Sequence, residues 1–173
     1  MKKQTSVTTP GKTLSSRSAA EIFAANERMN QMLIEGLDPL AWKATPPGNV
    51  RSIVAIFTHM HNVRCKWVRL TAPHLPVPAQ LNRAHCTPEQ AQAGLVESAA
   101  RCVEMLDSEG GRIETFVRDG WAKPWPVGQE MLCYMIAHEA HHRVQVCMVA
   151  HQLGFPIAGA AAIWSWERLW GRV

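Results

Sequence analysis

The sequence predicts an all-α protein, an up-down four-helix bundle with a short fifth helix at its C-terminal end. Three observations carry this reading. Four long stretches repeat apolar residues at helical spacing. Capping residues and Pro/Gly breakers fall between them. No segment alternates apolar and polar residues as a strand would. Residues 1–17 are polar, contain Pro10 and Gly11, and read as a flexible tail. Residues 18–173 read as one domain, long enough to bury a core without staples.

The first helix is expected over residues 18–36. Ile22, Met29, Met32 and Leu33 share a broad stripe, and Ser18 with Glu21 forms a capping box. Gly36 is a plausible stop. Residues 44–49 are dense in breakers. The second helix is expected over residues 49–70, with Ile53, Ile56, Met60, Val63 and Trp67 as its apolar positions. Pro73, Pro76 and Pro78 then forbid regular helix. Thr87, Pro88 and Gln90 mark the start of the third helix, which runs to Gly110. Trp121 and Trp125 lie in a stiff proline-containing loop. The fourth helix is expected over residues 127–153, closed by Gly154 and Pro156. A fifth, over residues 160–170, carries Trp164, Trp166 and Trp170. These tryptophans suit core packing, a pocket wall or a subunit interface.

Composition narrows the function classes. The chain is 47% hydrophobic and 18% charged, as in a globular protein. Its net charge of +4 is mild, and no basic stripe is interleaved with aromatics, so nucleic-acid binding lacks support. The five cysteines form no CxxC pair and read as free, mostly buried thiols of a reducing compartment. No secretion-type apolar segment and no run of membrane-spanning length is visible, so a cytoplasmic protein without membrane contact is expected.

The chemistry concentrates at His138-Glu-Ala-His-His142, inside a stretch free of Pro and Gly. Residues four apart stack on one helix face, so His138 and His142 offer two imidazoles to one point. Burying two histidines beside Met131, Met135 and Gln145 is costly without a purpose. The bland alternative is a pair of core histidines held by hydrogen bonds. A third ligand must come from elsewhere. His59 and His61 point about 200° apart on the second helix, and periodicity favours His59 only slightly. His141 suits a supporting or surface place, while His74, His85 and His151 suit the surface or helix ends. Glu139 completes a His-Glu-x-x-His pattern, in which Zn proteases use Glu as general base. With no sheet to align a peptide and no suitable downstream ligand, protease chemistry is not expected. Glu139 instead suits an ionised group taking the second N–H of a metal-bound His. Arg143 is expected at the surface.

The strings Arg51-Ser-Ile-Val-Ala-Ile-Phe-Thr-His59-Met-His-Asn62 and Ile136-Ala-His-Glu-Ala-His-His-Arg-Val-Gln145 resemble the two signature helices of the DinB-like metal-binding four-helix bundles. The resemblance continues through Gln152-Leu-Gly-Phe-Pro156 and the Trp-rich end, covering residues 18–170. It implies that His59, His138 and His142 bind one divalent ion, with the upstream His separating this family from the Zn proteases. It also implies a homodimer. Val144 stands where the family often has Gly, a change expected to alter packing and not metal binding.

Three neutral imidazoles leave a divalent ion its full charge and open positions. Zn is the default for such ligands, with Ni, Fe, Mn or Co as alternatives. The resemblance implies a metal-dependent enzyme that activates a low-molecular-weight thiol or water against a small electrophile, as thiol S-transferases do. Glu139 or Gln145 would position or deprotonate the nucleophile. A non-enzymatic metal-binding stress-response protein and a metal-dependent hydrolase are the alternatives.

Overall fold

The computed structural model describes residues 17–108 and 128–159. Five helices follow in order: α1 Ala19–Glu35, α2 Pro39–Lys43, α3 Ile53–Thr71, α4 Pro88–Asp107 and α5 Gly128–Gln152. No strand occurs among the described residues. The expected loop around Trp121 and the expected fifth helix at residues 160–170 lie outside the described residues. No helix among the described residues is long and apolar enough to cross a membrane.

Local chemistry sets the ends. The Ser18 hydroxyl accepts the Glu21 N–H while the Glu21 carboxylate accepts the Ser18 N–H, which closes the expected capping box. Thr87 and Gln90 repeat the device at the start of α4. Helix α3 begins four residues later than expected, because the Ser52 hydroxyl accepts the Ala55 N–H and makes Ser52 the N-cap. At the end of α5, Gly154 takes a positive φ of 84°. Its N–H donates to the His151 carbonyl and that of Phe155 to the Ala150 carbonyl, a six-to-one closure that glycine permits. Helix α2 was not expected. Five residues are too few to show periodicity, yet Asp38 caps it and Pro39 occupies its first turn. It docks by stacking Trp42 on Phe57, ring centroids 5.1 Å apart.

The core is divided into two apolar halves. One gathers Leu33, Ile56, Phe57, Leu95, Val146 and Val149. The other gathers Phe23, Trp67, Cys102, Met105, Met131 and Met135. Helices α1 and α5 pass from the second half to the first, whereas α3 and α4 pass from the first to the second. The expected antiparallel run therefore holds for α1 with α3 and for α4 with α5, while α3 and α4 lie parallel. The proline-rich connection between α3 and α4 makes this possible by returning the chain along the bundle. Each of α1 and α3 packs on both α4 and α5.

Between the halves lies a polar layer: Asn26 and Asn30 of α1, Arg64 of α3, Ser98 of α4, and Glu139 and Arg143 of α5, all buried. The candidate histidines stand at the same level of α3 and α5. All five cysteines are free, but only Cys65 and Cys102 are buried. Burial pushes the Cys65 thiol up to about 11, and that of Cys102 higher still.

Candidate metal centre

Two helices supply three imidazoles. His59 comes from α3, and His138 and His142 from successive turns of α5. Their candidate ligand nitrogens all lie within 4.8 Å of one another. The two α5 rings face each other through Nε2 at 3.1 Å. Metal–nitrogen bonds of about 2.0–2.1 Å at a tetrahedral ion put two ligand nitrogens roughly 3.3 Å apart, so this pair already has a coordinating spacing. The His59 ring centroid is 4.8 Å from that of His142 and 5.5 Å from that of His138.

The surroundings favour neutral rings. Burial holds His59 and His138 far below the ordinary imidazole value, at about 4, and the neighbouring histidines add to the effect. Burial lowers His142 as well, against the opposing hydrogen bond it donates to Gln145. Neutral imidazole is the form that donates a lone pair to a metal. His142 Nδ1 donates to Gln145 Oε1 at 2.7 Å, which leaves Nε2 bare toward His138. Gln145 Nε2 in turn donates to His141 Nε2 at 2.9 Å. Gln145 thus orients a candidate ligand, and His141 orients Gln145. His138 Nδ1 is buried with no hydrogen-bond partner, and its ring stands edge-on to Trp67. Three neutral donors converging on one point, with no described carboxylate bonded to any of them, fit a divalent ion.

The structure also resolves the choice between His59 and His61. His61 is buried, with Nδ1 2.7 Å from the Gly94 carbonyl and Nε2 2.9 Å from that of Ala79. Both nitrogens are engaged away from the other histidines. Gly94 is needed for this approach, since a Cβ there would lie 3.1 Å from His61 Nδ1.

Glu139 does not take the place expected of it. Neither α5 ligand gives it a proton: His142 Nδ1 bonds Gln145, and His138 Nδ1 bonds nothing. One residue along a helix is a rotation of about 100°, which turns Glu139 into the bundle interior. There Oε1 accepts from Arg64 Nε at 2.6 Å, and Oε2 accepts from Arg64 Nη2, Asn26 Nδ2 and Asn30 Nδ2 at 2.6–2.8 Å. Held by four hydrogen bonds and turned away from the imidazoles, this carboxylate is not placed to act as a general base at the histidine cluster. Burial raises the Glu139 pKa, but the Arg64 charge and these hydrogen bonds pull it below the usual carboxylate range. Arg143 is likewise buried and not at the surface. Its Nη1 donates to Asn26 Oδ1 and Asn30 Oδ1, both at 2.9 Å. Each asparagine therefore bridges a cation and an anion. Arg64 also pairs with Glu27 and donates to the Leu95 carbonyl, tying all four long helices together. Two acids and two guanidiniums balance within this network.

Sequence reasoning missed this network. Its signals were Asn26/Asn30 and Glu139/Arg143, each pair four apart and so on one helix face. Val144 is exposed and away from the ligand nitrogens.

A cavity of about 570 Å³ opens beside His142. Ile56, Met148 and Val149 line its apolar side, and Arg51, Gln145 and Gln152 its polar side.

Among the described helices, the second long one carries one His of the cluster and α5 the His-x-x-x-His pair. No curated protein and no solved structure matches the chain significantly. Residues 8–167, nearly the whole sequence, match the DinB family, and the chain belongs to it.

Proposed function

We propose that this DinB-family protein is a metal-dependent enzyme that holds one divalent ion on His59, His138 and His142 and activates a small thiol or water for attack on a small electrophile. The observation supporting this is the convergence of three imidazole nitrogens, within 4.8 Å, at the wall of an open cavity. A divalent ion held by neutral ligands supplies Lewis acidity and lowers the pKa of a thiol or water beside it. Zn is the default for such ligands, with Ni, Fe, Mn or Co as alternatives.

The chain's own residues divide the remaining work. His141 and Gln145 fix the tautomer of His142, so its lone pair faces the ion. Trp67 packs against His138 and limits water on that side. Glu139, saturated by Arg64, Asn26 and Asn30, is kept out of proton transfer. Elemental analysis of purified protein should give one divalent ion per chain, and the ion should be lost in His142→Ala. Fully metallated protein should then join a low-molecular-weight thiol to a chromogenic aryl halide, forming the thioether as halide and the thiol proton leave. Turnover that needs no added thiol would identify a hydrolase, and metal binding without any turnover a stress-response binding protein.

A further inference from the structure

Among the described residues, the cavity beside His142 has a lining of one sign. Arg51 is the one formally charged side chain among them, and Asn49, Gln145 and Gln152 add uncharged amides. No described carboxylate lines it. Arg51 stands just before the N-cap of α3, exposed, and no acidic side chain among the described residues pairs with it. A guanidinium left without a partner at a cavity wall is preorganised for a planar anion. The rest of the lining includes the apolar side chains of Val50, Ile56, Met148 and Val149. Cavities of this size and mixed lining suit small molecules, with a few polar groups setting orientation.

We propose that this cavity takes a small monoanionic substrate, a carboxylate with a short apolar body, anchored by Arg51 so that its far end lies toward His142. This rests on the functional reading above and names the substrate class for it. A single planar guanidinium matches one carboxylate through two parallel hydrogen bonds. The apolar wall excludes a fully hydrated ion as the natural occupant. Three neutral ligands add no negative charge to repel the substrate, and the Arg51 charge is felt at both His59 and His142.

The test compares hexanoate with hexanamide, which has the same body without the charge. Calorimetric titrations would use metal-loaded wild type, Arg51→Gln and Arg51→Lys, each checked for metal content, and metal-free wild type and Arg51→Gln. A charge-assisted hydrogen bond corresponds to about tenfold or more in affinity, so hexanoate should lead hexanamide by that factor in the wild type. Arg51→Gln should abolish the lead with metal content unchanged, and Arg51→Lys should restore part of it. Equal binding of the two probes, or a preference that survives Arg51→Gln, overturns the proposal. Should the protein take up no divalent ion, the metal reading fails on that measurement alone. The Arg51-dependent preference of the metal-free protein then upholds the anion site, and its absence overturns it.

Discussion

Two polar clusters share the middle of this bundle and behave oppositely. The cluster of Glu27, Arg64, Glu139, Asn26, Asn30 and Arg143 is closed: donors meet acceptors and charges cancel. The cluster of His59, His138 and His142 is open: its lone pairs converge, one buried nitrogen lacks a partner, and a cavity adjoins it. Two residues adjacent in sequence, His138 and Glu139, belong to different clusters. Saturation is what separates a structural polar group from a reactive one, since a saturated group has nothing left to offer a ligand.

Substitutions can break this contrast, in decreasing order of effect. Glu139→Ala removes the anion facing a fully buried Arg64, and losing one partner of such a pair costs about 3–5 kcal/mol. Urea unfolding should show this loss, and a change below about 1 kcal/mol would mean that Glu27 alone satisfies Arg64. The same residue predicts an acid limb. The folded pKa of Glu139 lies below its ordinary value of 4.5, so its contribution is complete above that pH and fades as pH falls through the folded value. Melting curves of Glu139→Gln should lack that part of the acid dependence.

Substitutions in the open cluster should do the reverse, costing metal and sparing the fold. His142→Ala should lower metal affinity by more than the roughly 100-fold that loss of a supporting partner can bring. Its unfolding free energy, from urea titration of the metal-free protein, should fall by about 1 kcal/mol or less. Gln145→Ala removes only the orienting acceptor, and a drop of about 10–100-fold in affinity is expected by equilibrium dialysis. An unchanged affinity would show that packing alone sets the His142 ring. Ser18→Ala, far from both clusters, should cost about 1 kcal/mol in stability and nothing in metal affinity.

Much of this was legible in the sequence for local reasons. Capping boxes and a His-x-x-x-His pair are short-range patterns, and they appear where the chain writes them. The third ligand was not legible from periodicity, because α3 is buried nearly all round: Phe57, Thr58, Met60 and His61 are all inside. Only the family resemblance chose His59, and the carbonyls of Gly94 and Ala79 give the physical reason that His61 serves elsewhere. Arg143 and Glu139 were misplaced because their partners sit on α1 and α3, more than seventy residues away along the chain. A charged side chain reads as exposed until the helix facing it is known.

Sliding α5 by one turn against its neighbours, about 5.4 Å, would carry Glu139 off Arg64 and Arg143 off Asn26 and Asn30, stranding two ionised side chains in hydrocarbon. The same slip would part the α5 histidines from His59. The closed cluster therefore acts as an index mark between rods. By making every other alignment expensive, it sets to within a fraction of a turn where three soft lone pairs meet.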